Sequence, residues 1–224
     1  MCDKVLPDMP GEHRMRVCMK CNEKLRYIGA IRCLKCGKQL YSEKDEYCTD
    51  CKTKTHLFTQ GIGVFAYDDK IKQAMYRFKY SNRRDYANFF GETIVARHGY
   101  LIRRWQPQVI IPIPLHKLKY FSRGYNQAEL IANVLGRELS IPVDKDILLR
   151  SKKTRAMKEL NDEERVKNLQ NAFKLSENIV KYKKILLVDD IYTTGATIDA
   201  CSEVLLAGGA QEVYFASVCI GNGF

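Results

Sequence analysis

Between residues 184 and 197 the sequence reads KILLVDDIYTTGAT, an apolar run that meets two adjacent carboxylates and then a turn rich in hydroxyls and glycine. Ile185–Val188 has the composition of a central parallel strand buried on both faces. In open α/β sheets ligands bind at the carboxyl ends of strands, and anions sit on helix N-termini. Thr193, Thr194 and Thr197 offer hydroxyls there. Gly195 lets the backbone approach closely, and amides running through Ala196 form a nest for phosphate. Asp189 and Asp190 beside an anion cradle call for something hydroxylated or cationic between them. A ribose 5-phosphate meets that need, with its phosphate in the turn and its 2- and 3-hydroxyls on the carboxylates. The blander alternative is a generic strand–turn–helix with a solvated acidic tip.

The second chemical signal is cysteine. Of nine cysteines, seven lie in the first 51 residues, at 2, 18, 21, 33, 36, 48 and 51. Clustered cysteines in a reducing compartment read as metal ligands rather than disulfides. A C-x-x-C knuckle turns both thiolates toward one point, and two knuckles complete a tetrahedral shell for Zn²⁺. Cys33, Cys36, Cys48 and Cys51 make one full set, with Gly37 easing the tight turn. Cys18 and Cys21 take Cys2 as the natural third ligand. A knuckle ending at Cys2 would begin before Met1, so the true start is expected upstream and the first knuckle truncated. His13 is the weaker candidate for the gap, since its flanks GEHRMR resemble an exposed tip. Cys201 and Cys219 sit in apolar patterns and read as small core residues.

These groups need elements to hold them. Residues 1–55 are turn-rich and too small for a core without metal, and the texture changes at His56. Strands are expected at Ile62–Tyr67, 109–113, near 147–149, at 184–188 and 212–219. Helices are expected at Asp68–Tyr80, with Asp68 as N-cap, at Tyr86–Trp105, 126–139 and 196–207. Strands alternating with helices imply an α/β fold, a parallel sheet with helices on both faces, over residues 56–224. No apolar run approaches the ~18–20 residues of a membrane span. MCDKVLPDMPGEHR also lacks a signal-peptide core, so a cytoplasmic protein is expected.

VDDIYTTGAT resembles the 5-phosphoribosyl-1-pyrophosphate (PRPP) loop of type I phosphoribosyltransferases. Pro112–Leu115 with Arg123-Gly124-Tyr125-Asn126-Gln127, preceded by the knuckle region, resembles the ComF/ComFC competence family. Arg165, Asn168, Ala172-Phe173 and Phe78-Lys79-Tyr80 match that family's further motifs, as do Thr154 and Leu160, although Met157 stands where the family has Gln. The resemblance implies a double zinc ribbon followed by a type I phosphoribosyltransferase-like domain that binds PRPP with Mg²⁺. Asp189 and Asp190 would stabilise the oxocarbenium-like charge on the ribose carbon and hold Mg²⁺. Leu115, His116, Lys117 and Arg123, with Lys119 nearby, would take the pyrophosphate. Arg123 and Asn126 read equally well as a loop-to-helix cap, and the two roles are compatible.

Function is left with two readings of different class. One is a PRPP-dependent ribosyl transferase with an unknown acceptor; the other is a PRPP-binding nucleic-acid factor without turnover. Charge favours nucleic acid: 37 Lys+Arg against 26 Asp+Glu give a formal +11. Residues 70–104 carry nine Lys/Arg against Asp85 and Glu92, interleaved with Tyr76, Phe78, Tyr80, Tyr86, Phe89 and Phe90. Aromatic platforms in a basic groove suit single strands, although Phe78, Phe89 and Phe90 at helical spacing read first as core. Arg83, Arg84, Lys152, Lys153, Arg155 and Lys158 are the candidate contacts to single-stranded DNA. The family's place in DNA uptake implies that ligand, and a competence-machinery helicase or recombination mediator as protein partner.

Overall fold

The computed structural model describes residues 17–151, 172–177 and 180–221. Cys2, His13, Lys152, Lys153, Thr154, Arg155, Met157, Lys158, Leu160, Arg165 and Asn168 lie outside the described residues. In chain order the elements are α1 (Met19–Asn22), α2 (Thr49–Thr53), β1 (Gln60–Ala66), α3 (Asp69–Tyr80), α4 (Tyr86–Trp105) and β2 (Val109–Pro112). They continue with α5 (Lys117–Arg123), α6 (Gln127–Leu139), β3 (Leu148–Arg150), β4 (Phe173–Leu175), β5 (Lys184–Tyr192), α7 (Ala196–Ala207) and β6 (Glu212–Ile220).

Four strands form one parallel sheet in the order β1-β6-β5-β2. Its central strands have no polar face. Along β5, Leu186 and Val188 join the apolar cluster built with α3, α4 and α6. Ile185 and Leu187 alternate into a second cluster with α7 and the cysteine-rich segment. That period of two, apolar at every position, is what a strand covered on both faces requires. Among the described residues no helix is long and apolar enough to cross a membrane.

α3 begins where its cap expects. Asp68 Oδ1 accepts hydrogen bonds from the Lys70 and Ile71 amides, both at 3.0 Å. Ile71, Ala74, Met75 and Phe78 face the core. Of the aromatics interleaved with the basic residues, Phe78, Tyr86, Phe89 and Phe90 are buried, so only Tyr76 and Tyr80 remain as exposed rings. Helical spacing turned the others inward, where each buries more apolar surface than a groove would cover.

Three expectations need correction. β5 runs on through Asp189 and Asp190 to Tyr192, with Asp189 paired to Ser217 and Ile191 to Cys219. The ladder to β6 continues, so the acids belong to the strand rather than to the turn. The strand near 147–149 pairs antiparallel with β4, outside the main sheet. And Lys117–Arg123, where no element was expected, is a helical segment with His116 as N-cap and Gly124 at φ 73° after its end.

The cysteine-rich segment closes an open edge. β1 is the edge strand of the sheet. Ile28 N donates to Val64 O at 2.8 Å, Ala66 N to Arg26 O at 2.9 Å, and Gly61 N to Lys35 O at 2.8 Å. Backbone groups that would otherwise template aggregation are thereby paired within the chain. Gly37 sits at φ +78°, and a Cβ there would fall 2.9 Å from Gly61 O. Only glycine allows both that conformation and that approach of the knuckle to β1.

Candidate functional site

Two knuckles supply the metal centre. Cys33 and Cys36 flank a turn in which Gly37 N donates to Cys33 O at 2.9 Å; Cys48 caps α2, and Lys52 N donates to Cys48 O at 3.0 Å. The four Sγ atoms of Cys33, Cys36, Cys48 and Cys51 lie within 4.8 Å of one another, with Cys36 and Cys48 at 3.7 Å. A tetrahedron with Zn–S of about 2.3 Å has S···S edges of about 3.8 Å, so this donor set fits structural zinc. Hydrogen bonds among the four thiols push Cys33 below its ordinary range and Cys36 and Cys51 above theirs, so the sulfurs behave as one coupled set that shares its protons. Cys18 and Cys21 form a third knuckle, with Cys21 N donating to Cys18 O at 3.0 Å. Cys201 and Cys219 are buried, each with its thiol pKa raised first by burial.

At the carboxyl end of β5 the two acids differ sharply. Asp190 Oδ2 lies 2.6 Å from Lys79 Nζ, brought in by the last turn of α3. Asp189 accepts the Asp190 amide at 2.8 Å, yet burial, and then the Asp190 charge, push its carboxyl up to about 7. Lys79 keeps its proton: burial works against the ammonium, but Asp190 and then Asp189 outweigh it and raise its pKa. One acid is thus ion-paired to a lysine, while its neighbour is pushed up by burial.

Further cations gather around this pair. Burial lowers the Lys119 pKa, and the positive charges of Arg150, Arg123 and Lys79 lower it further. Arg123 Nη1 donates to Gln127 Oε1 at 3.0 Å and Nη2 to Tyr80 Oη at 3.1 Å, with the guanidinium 5.0 Å from the Tyr80 ring centre. Arg150 lies over the Phe173 ring and within reach of the Asp189 charge. Lys79, Lys119, Arg123 and Arg150 thus gather beside the two carboxylates, a charged cluster suited to a ligand that is polyanionic and hydroxylated.

The turn that follows completes the site. Gly195 adopts φ +86° as the N-cap of α7, so Thr193, Thr194, Ala196 and Thr197 surround a helix N-terminus. Leu115 and His116 are half-buried before α5, while Lys117 opens it exposed. His116 Nδ1 accepts the Leu118 amide at 3.2 Å. Asn126 does what a cap does: its Oδ1 accepts Ala128 N at 3.1 Å, and its Nδ2 donates to Ile113 O at 3.0 Å. Arg123 instead reaches Tyr80, across from α5. Arg83 is ion-paired to Asp85 at 2.8 Å, and Arg84 stacks on Tyr125 at 4.7 Å while bonding Asn82. Both stand on the loop after α3.

Sequence reasoning did not place Lys79 or Arg150 among the site residues. Lys79 was visible in Phe78-Lys79-Tyr80, but nothing in the spacing joined it to Asp190, 111 positions on. Arg150 stood at the head of a basic run, and only the β3–β4 pairing turns it toward Asp189.

The sequence matches the family described as "Double zinc ribbon domain" over residues 1–52 and "Phosphoribosyl transferase domain" over residues 123–223. It is 31% identical over 220 residues to "Competence protein F" of Haemophilus influenzae, covering 88% of this chain and 93% of that protein. It is 31% identical over 206 residues to "Competence protein ComFC" of Streptococcus pneumoniae, covering 88% and 84%. "DNA utilization protein YhgH" of Escherichia coli K12 is 27% identical over 206 residues, covering 91% of this chain and 89% of that protein. With a zinc-fitting cluster of four cysteines ahead of a phosphoribosyltransferase-like sheet and likeness along nearly its whole length, the chain belongs to the ComF/ComFC competence-protein family.

Proposed function

We propose that the chain binds PRPP with Mg²⁺ at the carboxyl end of β5 and acts on single-stranded DNA during DNA uptake. The observation that carries this is the juxtaposition of Asp189 and Asp190 with the Thr193–Thr197 turn, inside a ring of Lys79, Lys119, Arg123 and Arg150. The 5-phosphate would sit on the α7 amides and threonine hydroxyls, the ribose hydroxyls on the acids, and the pyrophosphate toward Arg123, Lys119 and Leu115–Lys117. Mg²⁺, held by Asp189 and Asp190 together with the ribose hydroxyls, would supply charge neutralisation for the pyrophosphate.

Calorimetry tests the site. PRPP should bind with Mg²⁺ dependence, and Asp190→Ala or Thr194→Ala should weaken it at least about tenfold, since a charge-assisted hydrogen bond is worth about 1.5–3 kcal/mol. Equal affinity in parent and variants would defeat the assignment.

DNA handling rests on different observations. Relatives of this chain are named for competence and for DNA utilization. Tyr76 and Tyr80 are exposed and neighbour each other at 5.0 Å, with Arg123 over Tyr80. Such a cation-backed aromatic pair stacks bases without regard to sequence. The second reading is a transferase. In it the C1–O bond to pyrophosphate breaks as an acceptor bonds to C1, with Asp189 and Asp190 beside the developing positive charge. Pyrophosphate release with candidate acceptors separates it from simple binding.

A further inference from the structure

The phosphate turn rests on side chains that come from the zinc-bearing segment. Asp199, in the first turn of α7, uses both carboxylate oxygens on that segment's exit: Oδ2 lies 2.7 Å from His56 Nδ1, and Oδ1 accepts the Leu57 amide at 2.8 Å. His56 stands five residues beyond Cys51 and stacks on Phe58 with ring centres 4.8 Å apart. Phe58 in turn shares one apolar cluster with Cys33, Cys36, Cys48, Tyr192 and Ile198.

The contact continues beneath Gly195. A Cβ at that position would fall 2.9 Å from His56 Cε1 and 2.8 Å from Tyr192 Oη, so the turn lies directly on these two rings. Tyr192 ends β5, stacks on Phe215 at 4.7 Å and belongs to the same buried cluster as Cys33, Cys36 and Cys48. The floor of the turn is therefore one residue from the exit of the cysteine-rich segment and one residue of the cluster that includes its cysteines.

His56 carries a cost that packing alone would not retain. With Nδ1 donating to the Asp199 carboxylate, the ring's other nitrogen, Nε2, is buried with no hydrogen-bond partner among the described residues. An asparagine would keep the Nδ1-like donor and lose the orphaned atom. A phenylalanine or leucine would fill the space and lose the clamp.

We propose that His56 is a positioning residue that fixes the phosphate turn against the Cys33/Cys36/Cys48/Cys51 zinc centre, so that PRPP binding and zinc retention are coupled; this rests on the PRPP reading above. Coupling of binding free energies is reciprocal: if the ordered zinc knuckle favours PRPP, bound PRPP slows zinc loss. The clamp transmits this because Asp199 and Gly195 belong to the same helix start.

The test uses the purified, zinc-loaded full chain. Zinc release to a chromogenic chelator is followed with and without saturating PRPP and Mg²⁺, with Mg²⁺-pyrophosphate as a control for chelation. Release of one zinc from the parent should slow at least about fivefold with PRPP, within the range of ordinary coupling energies. His56→Leu should retain its zinc, bind PRPP at least about fivefold more weakly by calorimetry and lose the protection, while His56→Asn restores both. If His56→Leu does not fold, Asp199→Asn, which keeps an acceptor for the Leu57 amide, should show the same two losses. Equal PRPP affinity and equal protection in parent and variants overturn the coupling while leaving the PRPP site intact. A parent that fails to bind PRPP overturns the functional reading itself.

Discussion

Asp189 and Asp190 are chemically identical and adjacent, and the structure makes them different acids. Asp190 is ion-paired to Lys79 at 2.6 Å, whereas burial and then the Asp190 charge carry the Asp189 carboxyl up to about 7. An unfolded Asp titrates near about 3.9, so between roughly pH 4 and 7 the folded chain binds more protons at this site than the unfolded one. Stability from this group is therefore full below that window and falls as pH rises through it. Asp189→Asn should melt about 2–4 °C higher than the parent at pH 8, the shift of about 1 kcal/mol in a chain of this size, and the advantage should vanish near pH 4. Melting curves at the two pH values check this, and an advantage that is the same at both would refute the raised pKa. The same residue is expected to lose PRPP affinity, so stability and function pull in opposite directions here, as is common where a site stores unfavourable charge.

Among the elements, the two knuckles and β1 act together. The Cys33/Cys36/Cys48/Cys51 knuckles pin Lys35 and Gly37 to β1, and residues Arg26–Ile28 pair its outer edge. Gln60 on β1 links both sides: its Nε2 donates to Leu34 O at 2.7 Å, and its Oε1 accepts Trp105 Nε1 at 3.0 Å. Trp105 is the chain's only tryptophan. Metal analysis should find close to two zinc ions per chain, and Cys33→Ser or Cys48→Ser should lose one and melt well below the parent. Structural zinc in such modules contributes on the order of 10 kcal/mol of binding energy to folding. Stripping the metal should also change Trp105 fluorescence as Gln60 lets go. A metal-free protein, or variants that melt like the parent, would remove zinc from the account.

For the molecule as a whole, the formal charge is +11, and among the described residues Arg123 bonds the exposed Tyr80. Single-stranded DNA should bind with little sequence preference and weaken with salt at a log–log slope of about −0.7 per phosphate contacted. Replacing Tyr76 and Tyr80 by Ala should cost about 1–3 kcal/mol per base no longer stacked, with the salt slope unchanged. Arg83→Ala with Arg84→Ala should instead lower the slope by roughly one to two units while leaving PRPP affinity alone. Because Arg123 touches Tyr80 and its charge is felt at Lys79, the DNA titration is run with and without PRPP; a change in apparent affinity reports that the two polyanions share it. Absence of DNA binding at low salt in both conditions would leave the transferase reading in possession of the site.

Local chemistry carried much of this in the sequence. The C-x-x-C spacing, the apolar Ile185–Val188 run, the Asp68 cap and the Asp-Asp-to-Thr/Gly transition each follow from interactions within a few residues, and such interactions are written in order along the chain. Periodicity likewise separated Phe78, Phe89 and Phe90 from solvent, because a helix sets which side chains share a face. What depended on sheet order was invisible. Lys79 meets Asp190 only because α3 ends over β5; Arg150 reaches Asp189 only through β3 and β4; and the end of β5 moved to Tyr192 because β6 continued alongside it. The His56–Asp199 contact joins residues 143 positions apart. The sequence by itself determined the spacing of the metal-ligating cysteines and the placing of two acids ahead of a Thr/Gly turn at a helix start. The tertiary structure alone decided which cations gather beside the acids, that Asp190 rather than Asp189 pairs with Lys79, and that His56 and Tyr192 lie against the Gly195 turn, because those outcomes depend on desolvation and on distances the linear order does not constrain.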